Sequence, residues 1–300
     1  MTKTRFDDPW TSKTTLSYTV TKVHESFESE IQQVDVFEAE DFGTVLALGG
    51  VTNVTDRDES SYHELLGHVP MLAHPNPRRV LVVGGGDGGT LREVLRHPQV
   101  EEAVLVDIDG EVIRCAKQYF PGLAEALDHP KATVIVGDGL AYVAEAAKRG
   151  EQFDVVLIDS TDPVDGAVEL FTDAFYRSCA EVLGDDGILV PQSDSPVFCI
   201  DRVHAIYTSL SKIYRHVRPY VGQTVMYPGG FWMFIAASQT IDAAASIGAT
   251  PRLAQMEPEL RYLGTELLPA VFKLPLFIRR GLEGAPKSAL PSLCDTPPVA

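Results

Sequence analysis

Three hundred residues, 45% of them hydrophobic, can bury a substantial core, as one large domain or as one domain with a small partner. A formal charge of −17 argues against the basic patches that nucleic acid requires, and it suits a soluble chain that attracts cationic small molecules. No apolar run approaches a membrane span, and the N-terminal MTKTRFDDPW lacks the apolar centre of a secretory signal, so a cytoplasmic chain without a membrane partner is expected. The cysteines Cys115, Cys179, Cys199 and Cys294 lie far apart and form no CxxC. Neither a disulfide framework nor a zinc site is expected from them, and Cys115 and Cys179 fall in helical patterns as reduced, structural residues.

Glycine and acidic turn signals separate the runs LSYTVTKVHESF, SEIQQVDVFEA, TVLALGG and VTNVT, which predict a small antiparallel sheet over residues 16 to 54. DRDESSYHELLGHVPML then turns helical. Asp56 with Glu59 reads as a capping box, and Tyr62, Leu65, Leu66 and Val69 recur on one helical face. HPNPRR is a linker.

From residue 79 strands and helices alternate. The strands are RVLVVG, EAVLVDI, ATVIVG, FDVVLID and GILVPQ, with helical patterns at about 88–97, 110–119, 139–149, 172–183 and 201–213. Near-continuous Val, Ile and Leu strands imply burial on both faces, hence an α/β fold with a parallel, doubly wound sheet. HVRPYVGQTVMYPGGFWMFIAAS adds two strands around a Tyr-Pro-Gly-Gly turn as an antiparallel edge. One helical stretch follows, ending near KLPLFIRRGL, and GAPKSALPSLCDTPPVA is a Pro-rich tail expected to be flexible. The division expected is a β-strand domain over 1–65, an α/β catalytic domain over 66–283 and the tail over 284–300.

In an open parallel sheet, ligands sit outside the carboxyl ends of the strands. Acids follow those ends in turn: Asp87 after the first, Asp107 closing the second, Asp138 in GDG after the third, and Asp159 and Asp162 in IDSTDP after the fourth. One such acid is an ordinary turn former or helix cap; so many at a single edge mark a site. Asp107 stands about twenty residues past the glycine turn, where an acid accepts hydrogen bonds from ribose hydroxyls. An adenosine-type ligand follows, although the spacing of Gly84, Gly86 and Gly89 carries little weight alone. Asp138 either holds an adenine amino group or caps the helix that follows. Asp87 lies where a glycine loop and a helix N-terminus ordinarily meet an anion, and it would repel one. With few Lys or Arg nearby, these acids call for a sulfonium nucleoside or a protonated amine. A metal is disfavoured, because acids separated by whole crossovers lack the compact spacing of a calcium loop and no His cluster joins them.

GGGDGGTLREVLRHP, DSTDPVDGAVELFTDAFY, SYHELLGHVPM and YPGGFWMF together closely resemble the polyamine aminopropyltransferases, the spermidine synthases, with a likeness running from about residue 16 to about residue 280. The resemblance implies an N-terminal β-domain ahead of a Rossmann-like core of the class I methyltransferase type, in homodimers or homotetramers. It implies decarboxylated S-adenosylmethionine as aminopropyl donor, a di- or polyamine acceptor, putrescine first, and methylthioadenosine as by-product. Spermidine, cadaverine and agmatine remain alternative acceptors. The donor is a co-substrate, and no metal or redox cofactor is called for.

The resemblance also implies roles at matching positions. Asp87 grips the ammonium of the aminopropyl arm. Asp107 replaces the family's usual ribose-binding Glu, with a reach shorter by one methylene. Asp138 and Gly139 contact adenine, and Gln32 touches the donor nucleoside, with Gln33 the alternative one residue on. Asp159 is the base at the acceptor amine and Asp162 helps bind it, while Tyr62, His63, Gln192 and Tyr227 line the acceptor channel. Read without the resemblance, those last four are a core tyrosine, a helix-surface histidine, a strand-end amide and a turn tyrosine. After DSTDP the family usually continues VGPAE, whereas this chain reads VDGAV. Asp165 adds an acid and Gly166 removes a proline in the loop that gates the acceptor, which bears on the acceptor's identity and not on the chemistry.

Three rival functions fit these residues less well. An S-adenosylmethionine methyltransferase would set its donor's carboxylate against Asp87. A catalytically silent polyamine- or nucleoside-binding protein would not need Asp159, Tyr62 and Tyr227 intact. An NAD enzyme would place acids where the pyrophosphate lies.

Overall fold

A computed structural model describes residues 4–161, 165–247, 251–284 and 292–294. Its first sheet is antiparallel and in chain order: β1 (Thr4–Thr11), β2 (Thr14–Glu28), β3 (Gln33–Ala39), β4 (Gly43–Leu48) and β5 (Val51–Thr55). Strand β1 was not expected. TRFDDPWT joins two acids to a proline, a poor strand signal, and it forms an edge strand paired to β2, where proline is tolerated. The SEIQ segment assigned to a strand is the turn between β2 and β3.

Helix α1 (Glu59–Ala73) follows and is buried along all 15 residues, so its apolar stripe is only part of a helix covered on every side. The capping box does not form. The Asp56 carboxylate accepts from Thr44 N at 2.8 Å instead, Asp58 takes the N-cap position, and Glu59 turns inward. Residue 65, the expected domain boundary, sits inside this helix.

The second sheet has seven strands in the order β11-β12-β10-β9-β6-β7-β8. They are β6 (Arg79–Gly84), β7 (Glu102–Asp107), β8 (Ala132–Val136), β9 (Phe153–Asp159), β10 (Leu183–Pro191), β11 (His216–Gln223) and β12 (Phe231–Ser238). The crossovers carry α2 (Gly89–Leu95), α3 (Gly110–Tyr119), α4 (Pro121–Ala124), α5 (Gly139–Arg149), α6 (Asp173–Glu181) and α7 (Ile200–Ile213). Strands β6 to β10 are parallel, and β12 and β11 complete the sheet antiparallel, as in class I methyltransferase-type Rossmann-like folds. Val80, Val82, Leu105, Val155 and Leu157 pack with α1 and α2 on one face, and Leu81, Val83, Val106, Val156 and Ile158 with α5 to α7 on the other. Successive residues thus enter opposite cores, which is why these strands read as unbroken apolar runs. Strand β8 departs from that pattern, because it lies at the sheet edge and leaves Val136 60% exposed. The first sheet packs Val34, Val36, Leu46, Leu48 and Val54 against Val112, Cys115, Phe120 and Leu123 around α3 and α4, which brings the β2–β3 turn to the carboxyl edge of the second sheet.

After β12 the single expected helix is replaced by the short helices α8 (Ala243–Ser246), α9 (Pro251–Met256) and α10 (Leu276–Leu282). A second correction concerns the cysteines. Cys199, at the N-cap of α7, is disulfide-bonded to Cys294, with Cα atoms 5.2 Å apart across 95 residues of sequence. Spacing carries no signal for such a pair. Leu293 N donates to Phe198 O at 2.6 Å, which lays the tail segment beside the start of α7. Cys115 and Cys179 are free and buried. Among the described residues, the group with metal-ligand geometry is Asp194 with the joined sulfurs of Cys199 and Cys294, and no helix is long and apolar enough to cross a membrane.

Candidate active site

Parallel register brings the strand ends together: Gly84 of β6 pairs with Asp159 of β9, and Asp107 of β7 with Val136 of β8. Beyond β6 the chain turns through Gly85, Gly86, Asp87 and Gly88 into α2. Gly84 has a φ of 84°, and a Cβ there would stand 2.2 Å from Asp159 O, so only glycine can make this turn. A Cβ on Gly86 would lie 2.7 Å from Asp107 Oδ2, and one on Gly89 2.3 Å from the His63 ring. The loop's glycines make room for acids and a histidine.

Asp159 is held at both oxygens. Tyr62 Oη donates to Oδ1 at 2.7 Å, and Thr90 Oγ1 donates to Oδ2 at 2.6 Å. The Tyr62 ring is fixed edge-on to Tyr227 at 5.6 Å and against Phe234 at 5.2 Å. Burial raises the Asp159 carboxyl above the usual range, and the Asp87 charge adds to it; His63 and the two hydroxyls offset only part.

Asp87 is tuned the opposite way. Burial alone would raise it, but the His63 cation, the Gly89 N–H at 2.6 Å and Arg92 outweigh burial, and its pKa is lowered. His63 Nε2 lies 3.4 Å from Asp87 Oδ1, and Nδ1 donates to Glu59 Oε2 at 2.8 Å. Burial opposes charge on this ring, yet the two carboxylates prevail and raise its pKa well above the usual value. Behind Glu59, Arg92 donates at 2.9 Å and also reaches Glu93 at 2.6 Å, and Glu93 accepts from His68 at 2.9 Å. The cation that meets Asp87 is thus a histidine, His63 of α1, with Arg92 of α2 one step further back behind Glu59.

Asp107 accepts from Gly86 N and Asp109 N, each at 2.8 Å. Its pKa is pushed up to about 6, chiefly by burial, with these N–H groups opposing and the Asp109 and Asp87 charges adding. Asp109 caps α3 and also accepts from Ser29 Oγ at 2.8 Å and Gln32 Nε2 at 3.2 Å. Gln32 thus faces this edge, whereas Gln33 turns away to Ser26 and Asp35. Asp138 is exposed and caps α5 through Leu140 N at 2.8 Å. Gly139 follows it, and a Cβ there would stand 2.4 Å from Val83, so close helix–sheet packing alone requires this glycine.

On the other side, Gln192 continues β10. Its Nε2 donates to Ser160 O at 3.2 Å, tying down the chain after Asp159, and its Oε1 accepts from Asp194 N at 3.0 Å. Asp194 adopts a left-handed φ of 70°, held by a buried ion pair with Arg202. Tyr227 donates to Asn53 O at 2.6 Å and packs, tilted, against Trp232 with ring centroids 4.4 Å apart, joining β5 to this wall. Asp162 lies outside the described residues, as do the side chains of Asp165 and Gly166. The sequence reading missed Glu59, Thr90, Arg92, Asp109 and Asp194. The i,i+4 spacing of Glu59 and His63 was a usable signal; for Thr90, Arg92 and Asp194 there was none.

The arrangement offers two carboxylates at adjoining strand ends, one held ionised and one with raised proton affinity, which is how a site divides charge binding from proton transfer.

The family described as spermine/spermidine synthase domain matches residues 59–245, and the spermidine synthase tetramerisation domain matches residues 6–56. The polyamine aminopropyltransferase of Thermotoga maritima is 41% identical over 258 residues, 86% of each chain. Polyamine aminopropyltransferase 1 of Bacillus cereus is 42% identical over 251 residues, 84% of this chain and 89% of its own. Among solved structures, a spermidine synthase in complex with the transition-state analogue AdoDATO superposes with a TM-score of 0.90 at 38% identity, covering 94% of this chain and 96% of its own. Spermidine synthase from Thermotoga maritima gives 0.87 at 37% identity over 94% and 95%. The chain belongs to the spermine/spermidine synthase family, the polyamine aminopropyltransferases.

Proposed function

We propose that the enzyme transfers the aminopropyl group of decarboxylated S-adenosylmethionine to putrescine, giving spermidine and methylthioadenosine. The observation that carries this reading is the geometry at two adjoining strand ends, where Asp87 is backed by the His63 ring at 3.4 Å and Asp159 is held by the Tyr62 and Thr90 hydroxyls. That the similar spermidine synthase was solved in complex with the transition-state analogue AdoDATO supports a transfer reaction of this class.

A protonated alkylamine has a pKa of about 10 and is no nucleophile until it loses a proton. Asp159, buried and raised, accepts that proton as general base. The freed nitrogen lone pair attacks the aminopropyl carbon next to the sulfonium; the C–N bond forms, the C–S bond breaks, and its electron pair leaves with the neutral thioether. Asp87, ionised against His63, holds the donor's ammonium and so fixes the line of attack. Asp107 takes the ribose hydroxyls, with Gln32, Asp138 and Gly139 along the nucleoside. Tyr62, Gln192 and Tyr227 border the acceptor, Asp162 has the role of helping to bind it, and His63 acts from behind Asp87. No metal or redox cofactor has a part in this scheme. Assembly through the β1–β5 sheet, as a homodimer or homotetramer, fits the tetramerisation-domain match.

The test is release of methylthioadenosine, by mass spectrometry, from decarboxylated S-adenosylmethionine with putrescine, cadaverine, agmatine or spermidine, and from S-adenosylmethionine with putrescine. Putrescine should give the highest kcat/KM. A higher value for another amine would move the acceptor assignment, and methyl transfer from S-adenosylmethionine would overturn the reaction.

A further inference from the structure

Thr90 has no place in the scheme so far, yet it touches the base. It lies in the first turn of α2 with 0% exposure, directly after the loop that carries Asp87. A threonine hydroxyl in a helix usually bonds back to its own backbone. Here it reaches across to β9 and donates to Asp159 Oδ2 at 2.6 Å, because an ionised carboxylate can only accept. Gly85 closes the same oxygen from the loop side, where a Cβ would stand 2.7 Å away. With Tyr62 on Oδ1, each oxygen of Asp159 has one hydroxyl donor.

We propose that Thr90 is a positioning residue for the transfer reaction, its hydroxyl setting the plane in which the Asp159 carboxylate receives the amine proton. The inference rests on Asp159 as the base. Among the described residues, the titratable groups that face Asp159 are Asp87 of the glycine loop and Tyr62 and His63 of α1. Burial and Asp87 favour the protonated carboxyl, and Thr90 and Tyr62 favour the ionised one. Without the Thr90 hydroxyl, Oδ2 loses its donor in a site that already favours the proton. The carboxyl then stays neutral, and idle as a base, up to a higher pH.

The experiment is the pH profile of kcat/KM for methylthioadenosine release in wild type, Thr90→Val, which keeps the shape, and Thr90→Ser, which keeps the hydroxyl. Asp159→Asn is measured alongside. The acid limb should move up by about one pH unit in Thr90→Val and return in Thr90→Ser. If the valine variant does not fold, Thr90→Ala is read in the same way. A wild-type acid limb in the hydroxyl-free variant, or a shifted one in Thr90→Ser, overturns the proposal and leaves Thr90 a packing residue. Near-normal turnover in Asp159→Asn removes the base itself, a failure distinct from the first.

Discussion

His63 Nε2 lies 3.4 Å from Asp87 Oδ1, so the acid assigned to the donor's ammonium already has a buried cation behind it. The ring keeps its charge because Asp87 and Glu59 face it from either side, and Glu59 keeps its own because His63 and then Arg92 outweigh its burial. Asp87 therefore stays ionised in a pocket that would otherwise neutralise it, with its orientation set from α1.

Glu59→Gln tests this chain of charges. Loss of the carboxylate removes one of the two groups that raise His63, so its pKa should fall towards the ordinary histidine range. An NMR titration of the ring should show it doubly protonated at neutral pH in wild type and titrating at lower pH in the variant. Activity should fall roughly tenfold as Asp87 loses its fixed partner, the loss of about one hydrogen bond to a charged group. An unchanged His63 titration would leave Glu59 without this role.

Asp107 sets a pH dependence for the donor side. Its pKa of about 6 means that the free protein carries a neutral carboxyl below that pH. Ribose hydroxyls need an acceptor, so the ionised form binds better. Affinity for methylthioadenosine should be flat above pH 6 and fall below it, approaching about tenfold per unit. Calorimetry at several pH values checks this, and Asp107→Asn should abolish the slope. The same slope in that variant would place the titration elsewhere.

The Cys199–Cys294 bond closes 95 residues of chain, and cross-links of this kind contribute about 2–4 kcal/mol by constraining the unfolded state. Reductant should lower the melting temperature of the wild type by a few degrees and leave Cys199→Ser, which starts lower, unchanged. A wild-type melting temperature indifferent to reductant would mean that the bond does not form in solution.

The Rossmann-like core was legible because its strands are buried on both faces and its helices keep a 3.6-residue period, both of which sequence displays directly. Strand β1 was not, since an edge strand tolerates the acids and proline that mark a loop elsewhere. The acids at the strand ends were legible because register in a parallel sheet aligns those ends. Their supporting partners were not. Thr90 meets Asp159 across 69 residues, and Ser29 meets Asp109 across 80. Neither spacing follows from any local period. The capping box failed for a related reason: Asp56 found a better donor in Thr44, on a strand that sequence reading could not bring next to it.

Calorimetric binding of decarboxylated S-adenosylmethionine and S-adenosylmethionine to wild type and Asp87→Asn tests the role of Asp87 most directly. The two nucleosides differ by one carboxylate, which Asp87 should repel while its charge holds the ammonium of both. Wild type should prefer the decarboxylated donor. Asp87→Asn should lose about 1.5–3 kcal/mol of affinity for it, as expected of a charge-assisted hydrogen bond, and should gain or hold affinity for the intact one, so that the preference collapses. Equal weakening of both nucleosides would show that Asp87 only shapes the glycine loop, and would contradict its assignment as the ammonium site.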